Sequence, residues 1–269
     1  MRKTSVTCCI TLIVALLSLP VGAAETDNVW MKTDRVSIAV GAFFVEESTE
    51  VRLSSSTLGT GTRFSFQDDL GLDEDAEVAR LAGHYRFKPR HRINFSYFNI
   101  SNDATTTLLR DIQFEDTIFT AGTNVDSKLD LTVTNILYTY SFFQNAKLDL
   151  GVSTGVNIYE FDSKITAPST GIEQDGDGTA PFPVFGLRLT WAFRPKFLFG
   201  ASWDYFEIDD GDIEAQVIDI LIRVEHQTWN RVGLGLGYND VSIEAENKED
   251  RDELDWEYDG FFGYARFNF

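Results

Sequence analysis

The sequence predicts an all-β protein, and more specifically a transmembrane antiparallel up-and-down β-barrel. Most segments alternate apolar and polar residues with the period of two that is typical of strands with two different faces. The apolar face carries Phe, Trp, Leu and Ile, whereas the other face carries Gly, Ser, Asn, Asp and Arg. That division suits lipid outside and a narrow polar lumen inside. A soluble sandwich or lipocalin-like barrel is the structural alternative, and it would bury the bulky apolar face instead.

The predicted strands follow one another from residue 35 to the end of the chain. Residues 35–46 form the first, with Val36, Ile38, Val40 and Phe44 on one face. Nine more alternating segments lie at 80–87, 93–98, 128–143, 148–158, 185–193, 197–205, 218–225, 232–239 and 261–269. Short turns at 88–91, 144–145, 194–196 and 228–230 alternate with longer, mostly acidic connections at 67–75, 102–126, 163–180, 209–212 and 247–255. Hairpins that cross a membrane and return are expected to show these two kinds of connection.

The number of strands depends on two weaker segments, 49–56 and 62–66. Without them the barrel has ten strands, and with them it has twelve. Both totals are even, as single-chain bacterial barrels require. We expect twelve, with ten as the alternative, because two extra strands avoid an unstructured connection of roughly thirty residues.

One long strand changes its apolar face along its length. Leu129 and Val133 lie on one parity, whereas Tyr138 and Phe142 lie on the other. An extra residue in a strand moves every later side chain to the opposite face, so we expect a β-bulge near Asn135.

The chain begins with the features of a secretory signal peptide. Basic Arg2 and Lys3 precede an apolar stretch, from about Cys8 to Leu19, that is too short to span a bilayer. An N-terminal membrane anchor is the alternative. We expect three parts, namely a signal peptide at 1–23, a periplasmic lead-in at 24–34 and a transmembrane barrel domain at 35–269.

The chain after this signal is acidic and lacks cysteine. Both cysteines, Cys8 and Cys9, lie inside the predicted signal, so we expect neither a disulfide nor a thiolate site. Loss of Arg2 and Lys3 would take the formal charge from −19 to −21, which argues against nucleic acid as a partner. We expect no cofactor, although the acidic connections offer oxygen ligands for loosely bound Ca²⁺ or Mg²⁺.

The polar parity of the strands predicts a charged lumen. The residues expected there are Arg80, Arg86, Asp149, Arg188, Asp204, Asp219, Arg223, Glu225 and Arg266. Charges of both signs in a narrow barrel are expected to form ion pairs, because isolated charges there would be costly. The network either fills the lumen as a polar plug, which we favour for a small barrel, or lines a narrow pore selective for cations or small solutes.

The histidines do not indicate a catalytic site. A serine two residues after a histidine would mark the nucleophile that lipid-cleaving barrels use, but His84, His91 and His226 all lack it. None has aspartate within two residues, so an Asp-His pair that activates water is not indicated either. We therefore expect no enzyme activity. An enzyme that processes lipid or peptide at an unrecognised site is the alternative.

The end of the chain has a pattern that resembles that of a known class of proteins. Together with the predicted signal peptide and strands, the terminal Phe267-Asn268-Phe269, with Tyr264 before it, resembles Gram-negative outer-membrane β-barrel proteins, from porins to small barrels. The resemblance implies an outer-membrane location, contact with lipopolysaccharide, and delivery by periplasmic chaperones to the barrel-assembly machinery. The assembly signal it implies consists of Phe261, Ala265, Phe267 and Phe269. We expect a non-enzymatic barrel that is either structural or a narrow porin-like channel for ions or small solutes.

Overall fold

The structure is a computed structural model that describes residues 35–54, 58–249 and 251–269. Its strands are β1 (Val36–Arg52), β2 (Phe64–Ser65), β3 (Asp75–Lys88), β4 (His91–Thr107), β5 (Ile112–Phe114), β6 (Thr117–Phe119), β7 (Asn124–Gln144), β8 (Leu148–Ala167), β9 (Ile172–Arg194), β10 (Phe197–Asp210), β11 (Ile213–Gln227), β12 (Val232–Asn247) and β13 (Asp252–Asn268). In this part of the chain, no helix is long and apolar enough to cross a membrane. The expected signal peptide and lead-in, residues 1–34, lie outside the described residues.

Ten strands form one closed antiparallel ring. Their order is β1, β3, β4, β7, β8, β9, β10, β11, β12 and β13, and β13 pairs back to β1, with Val40 opposite Ala265. Closure pairs the backbone groups of every strand in the ring, which is what a sheet in lipid requires. The all-β barrel is confirmed, and ten strands replace the expected twelve. Residues 49–52 continue β1, and the segment 62–66 gives only the two-residue strand β2, which pairs with the end of β1.

The outer surface is apolar in the half of the barrel that carries the short turns. We call this the turn half; β1 begins there and β13 ends there, beside the turns at 89–90, 145–147, 195–196 and 228–231. Its exposed apolar side chains include Ile38, Val40, Phe44, Leu81, Tyr85, Ile93, Tyr97, Ile136, Tyr138, Phe142, Val152, Phe185, Leu187, Trp203, Ile222, Val224, Leu234, Leu236, Phe261 and Phe267. A closed ring with such an exposed belt is suited to lipid, so the turn half is the membrane-spanning part.

In the opposite half, which we call the loop half, the outer face is polar and the inner face is apolar. Its exposed outer side chains include Glu46, Glu77, Asp103, Asp126, Glu160, Asp162, Glu173, Asp175, Asp177, Glu207, Glu244 and Glu257. Its inward side chains are apolar and buried, including Val45, Val51, Ile100, Leu129, Leu131, Val133, Ile165, Val184, Val217 and Ile243. The loop half is therefore built like a water-soluble barrel with an apolar core, and it stands clear of the membrane.

This inversion accounts for the long strand β7. β7 pairs with β4 in one continuous register across Asn135, so the bulge expected there is wrong. The register shift of β7 lies between Ser141 and Phe143, next to a short turn. Leu129 faces the core of the loop half, whereas Tyr138 faces lipid. The lumen changes from polar to apolar along the barrel axis, while the strand itself stays regular.

The strands also extend further than their sequences indicated. β8 runs to Ala167 and β9 begins at Ile172, inside the connection expected at 163–180. β12 runs to Asn247 and β13 begins at Asp252, inside the connection expected at 247–255. These segments are polar because their outer faces meet water above the membrane, and their inward residues keep the strand period.

Two connections fold back and fill the loop half. They are residues 58–74 and residues 108–123, the second of which contains the hairpin β5–β6. Their buried apolar side chains are Phe64, Phe66, Leu70, Leu72, Leu108, Ile112, Phe114 and Phe119, and we call this set the apolar plug. Ring centroids of Phe64 and Phe114 lie 5.8 Å apart, and those of Phe66 and Phe161 of β8 also lie 5.8 Å apart. The plug is therefore packed both within itself and against the barrel wall.

An acidic turn directs one plug residue inward. The Asp69 carboxylate accepts hydrogen bonds from the backbone N–H of Ser65 at 3.0 Å and from Nη2 of Arg110 at 2.6 Å. The hydrogen bond from Arg110 lowers the pKa of Asp69. Gly71 then takes a φ of 74°, a conformation that side chains disfavour, and completes the turn. The segment expected to be an acidic tip thereby buries Leu70 completely.

A carboxyl group is also buried in the loop half. Glu47 points inward from β1, beyond the lipid-facing Phe44, and accepts a hydrogen bond from Nδ2 of Asn102 at 2.7 Å. Its other oxygen, Oε2, has no hydrogen-bond partner among the described residues. Burial raises the pKa of Glu47 to about 7, against the smaller opposing effect of the Asn102 hydrogen bond.

Candidate lumenal site

The lumen of the turn half contains a cavity of about 220 Å³. Eight of the nine charges expected in the lumen line it, namely Arg80, Arg86, Asp149, Arg188, Asp204, Asp219, Arg223 and Arg266. The ninth, Glu225, is buried beside it and contacts Arg266. The strands bring these residues together because each lies on the inward parity of its own strand, where neighbouring inward residues are small. At the loop side, an aromatic layer of Phe43, Phe98, Tyr258 and Phe262 separates the cavity from the plug.

Three ion pairs cross between strands around the cavity. They are Arg188–Asp204, Arg92–Asp149 and Arg266–Glu225, with N–O distances of 2.7, 3.3 and 3.0 Å. Nη2 of Arg188 contacts both carboxylate oxygens of Asp204. The hydroxyl of Tyr264 donates a second contact to Glu225 at 2.8 Å. Each pair is mostly shielded from water, so removing one partner would leave a buried charge uncompensated.

Two carboxylates oppose each other on β10 and β11. Asp204 and Asp219 are direct partners in the register of these strands. Asp204 is neutralised by Arg188, whereas Asp219 accepts a hydrogen bond from Nδ2 of Asn239 at 2.7 Å. Asp219 also lies within electrostatic range of Arg80. Like charges directly opposite are unfavourable, and these three polar partners offset the repulsion.

Arg80 lies between the cavity and the aromatic layer. Its guanidinium carbon is 5.2, 5.4 and 5.0 Å from the ring centroids of Phe43, Phe98 and Phe262. These are cation–π distances, and such contacts are strengthened where water is excluded. Nη1 of Arg80 has no hydrogen-bond partner among the described residues. Arg80 therefore places a positive charge at the inner end of the cavity.

Glycines on the inward faces make room for the larger lumenal side chains. A Cβ atom on Gly200 would lie 2.7 Å from Nε of Arg223, and one on Gly186 would lie 2.0 Å from Oδ1 of Asp204. Real Cβ atoms are not found at such separations. Glycine at these two positions is therefore a condition for the observed positions of Arg223 and Asp204.

The charges in the lumen do not balance. Six arginines face four carboxylates, which leaves a surplus of two positive charges in a protein whose formal net charge is −19. Arg223 forms neither an ion pair nor a hydrogen bond with any residue that the structure describes. Nη1 of Arg86 donates to the backbone oxygen of Pro89 at 2.8 Å. The lumen therefore carries a local positive charge, opposite in sign to the net charge of the chain.

The histidines lie in the turn half, away from the loop half. His84 lines the cavity. His91 lies on the outside, where Nδ1 is 2.6 Å from the hydroxyl of Tyr138, and the ring of His226 packs 4.6 Å from that of Phe197. None of the three forms an ion pair with a carboxylate of the described chain. Their surroundings therefore contain no carboxylate–histidine pair that could activate serine or water.

Three residues that face the lumen were not predicted to do so from the sequence. Arg92 and His84 line the cavity. The signal for Arg92 was present, because it continues the inward parity of Asn94 and Ser96 on β4. Tyr264 also points into the lumen, where its hydroxyl donates to Glu225.

The candidate assembly residues share the lipid-facing side of β13. Phe261, Phe267 and Phe269 are exposed there, and Ala265 lies on the same face. The backbone N–H of Phe269 donates to Val36 at 2.9 Å, so the last residue is joined to the first strand. Recognition of this strand by the assembly machinery stays a prediction.

Metal-binding geometry is not formed by the described residues. Across residues 35–54, 58–249 and 251–269, no group of three or more His, Cys, Asp or Glu side chains is arranged to hold a metal ion.

Comparison with solved structures identifies the class of fold. The outer-membrane protease OmpT of Escherichia coli matches with a TM-score of 0.56 at 10% identity, over 92% of this chain and 99% of that one. The toluene transporter TodX of Pseudomonas putida matches at 0.36 with 10% identity, over 91% and 93%. Ail, the attachment invasion locus protein of Yersinia pestis, matches at 0.35 with 13% identity, over 86% and 97%. No family model and no curated protein matches the sequence.

The OmpT match establishes the fold and nothing about activity, and the other two likenesses are too loose to carry an argument. The closed ring with its lipid-facing belt agrees with that fold. The chain therefore has the fold of an outer-membrane β-barrel, and in such barrels the short turns lie on the periplasmic side.

Proposed function

We propose that this protein is a non-enzymatic outer-membrane barrel that is closed to solutes and acts through its loop half outside the cell. The apolar plug is the observation that carries the proposal. Phe66, Leu70 and Phe114 are completely buried in the loop half, so their packing fills space through which water or ions would otherwise pass. An ion crossing this region would lose its hydration and meet mainly apolar side chains.

The aromatic layer between the cavity and the plug also supports a barrel that is closed to solutes. Rings of Phe43, Phe98 and Tyr258 contact one another edge to face, with centroids 5.4 to 6.4 Å apart. A path from the cavity to the outside would have to open this layer as well as the plug. Two consecutive apolar barriers favour a closed barrel over a porin.

The placement of the histidines supports a non-enzymatic role. All three lie in the turn half, whereas a site that acts on extracellular lipid or peptide would lie in the loop half. A nucleophile or an attacking water needs a base within hydrogen-bond reach. The described part of the loop half offers carboxylates and arginines but no imidazole.

The exposed carboxylates suggest how the loop half makes contacts. Residues such as Glu160, Asp162, Asp175 and Asp177 present oxygen ligands to the outside. Divalent cations that bridge these carboxylates to lipopolysaccharide phosphates would hold the protein within the outer leaflet. Lipopolysaccharide is accordingly the partner that we propose.

Conductance of the purified barrel in planar lipid bilayers tests the proposal. We expect no resolved current steps from the wild-type protein, with insertion verified by flotation of proteoliposomes from the same preparation. A narrow channel is the second candidate, favoured by the polar cavity in the turn half. Reproducible, ion-selective steps from the wild-type protein would refute the closed barrel and support the channel.

Turnover assays test the non-enzymatic part separately. The refolded protein is incubated with phospholipid, with lipid A and with a peptide library, and we expect no product above the level of a boiled sample. Cleavage of any of these substrates would overturn this part of the proposal without bearing on conductance.

A further inference from the structure

We infer that the lumenal cavity is a binding site for a small organic anion whose carboxylate or phosphate group is held at Arg223. The inference concerns the periplasm-facing cavity alone and does not depend on whether the barrel conducts. The argument rests on an uncompensated charge, on the space beside it, and on the route by which a ligand reaches it.

The uncompensated charge is the guanidinium of Arg223. It has no ion-pair or hydrogen-bond partner among the described residues, and its nearest carboxylate neighbour along β11, Glu225, is already bound by Arg266 and Tyr264. Arg188 is likewise occupied by Asp204. A cation inside a barrel is costly unless it is paired, so this arrangement lacks an anion that would pair with Arg223.

The surroundings of Arg223 reinforce its attraction for an anion. Arg188 and Arg266 lie within electrostatic range of it, and both line the same cavity. Arg223 is moreover accommodated by Gly200, where even a methyl group would collide with Nε. Position 200 on β10 must therefore be glycine for the guanidinium of Arg223 to occupy this place. A side chain that only filled space in the lumen would not need such a fixed position.

The cavity has room for more than a simple ion. Its volume of about 220 Å³ exceeds the roughly 30 Å³ that one water occupies several times over. Leu137, Leu198 and Leu221 form apolar parts of its wall beside the arginines. A ligand with one acidic group and a small apolar body matches this mixture of surfaces.

The lining also indicates the direction of entry. Ser37, Arg86 and Asn268 belong to the cavity and lie next to the strand ends on the periplasmic side. The aromatic layer and the plug block the opposite direction. The ligand is therefore a solute of the periplasm.

Binding of two probes to the full barrel in detergent micelles tests the inference. Inorganic phosphate and benzoate are titrated separately by isothermal calorimetry, because they represent the two acidic groups that Arg223 would accept. We expect at least one probe to bind. Binding of phosphate alone assigns a phosphate-bearing ligand, and binding of benzoate alone assigns a carboxylate. Failure of both probes to bind the wild-type protein would overturn the inference.

Three variants separate the site from general electrostatics. Arg223→Gln should weaken binding by about tenfold or more, because a charge-assisted hydrogen bond is lost. Arg223→Lys keeps the charge and should retain weaker binding, and it replaces the first variant if that one does not fold. Arg194→Gln removes an exposed arginine at a periplasmic turn outside the cavity and should bind like the wild type. Equal affinities of the Arg223 variants and the wild type would refute the site.

Discussion

Replacing Glu47 with glutamine should stabilise the barrel above pH 7 and leave its stability almost unchanged below pH 4.5. Glu47 is buried in the loop half, with one oxygen bonded to Asn102 and the other without a partner among the described residues. Burial raises the pKa of Glu47 from 4.5 to about 7. Glutamine retains an oxygen that can accept the Asn102 hydrogen bond and carries no charge at any of these pH values.

The sign and size of the effect follow from proton linkage. Below pH 4.5 the carboxyl group of Glu47 is protonated in both the folded and the unfolded chain. Between pH 4.5 and about 7 the unfolded chain loses this proton while the folded chain keeps it, so the free energy of unfolding falls as the pH rises. One pKa unit corresponds to about 1.36 kcal/mol, so the wild type loses about 3 kcal/mol that Glu47→Gln keeps.

Urea unfolding in phospholipid vesicles, followed by tryptophan fluorescence, measures this difference across the pH range. Glu46→Gln serves as the matched control, because Glu46 is the preceding residue and is exposed on the outer face of β1. We expect the control to retain the pH dependence of the wild type. A stability difference between Glu47→Gln and the wild type that does not change between pH 4.5 and 7 would refute the reasoning.

Three further outcomes follow from the plug, the lumen and the last strand. Phe66→Ala should lower the free energy of unfolding by about 3–5 kcal/mol in the same assay, because it leaves a cavity in the plug; a loss under about 1 kcal/mol would show that the plug is loosely packed. Asp204→Ala should cost about 3–5 kcal/mol by leaving Arg188 unpaired. The double variant with Arg188→Ala should cost less than the two single changes together, and simple additivity would contradict the pairing. Deletion of Phe269 should reduce the folded barrel recovered from outer-membrane fractions several-fold, and a normal yield would argue against an assembly signal.

The barrel and its lipid-facing surface could be predicted because they depend on local pattern. A period of two assigns each residue to one of two faces, and bulky apolar residues such as Leu234 and Leu236 mark the face that meets lipid. The same parity brought the nine predicted lumenal charges to the cavity and its edge. The same alternation on β4, extended from Asn94 back to Arg92, also predicts that Arg92 faces the lumen.

Which of these charges form ion pairs could not be predicted in the same way. The alternation gives the face on which a residue lies, but not its distance from residues on other strands. Arg188 meets Asp204 because β9 and β10 are neighbours, but Arg92 meets Asp149 across β4 and β8, which are not adjacent in the ring. The unpaired state of Arg223 likewise depends on these distances, because Glu225 on the same strand contacts Arg266 and Tyr264 instead.

The sequence by itself determined that the chain forms a membrane barrel, which faces its strands have, and which charges enter the lumen. The tertiary structure decided that ten strands close the ring, that the lumen turns apolar outside the membrane, and that a plug fills it there. Alternation shows that two faces differ, but it does not show which face meets water, lipid or another segment. Phe66 is in a weakly patterned segment, and only its contact with Phe161, distant along the chain, makes it part of a core. Such contacts depend on barrel closure, and no local pattern carries that information.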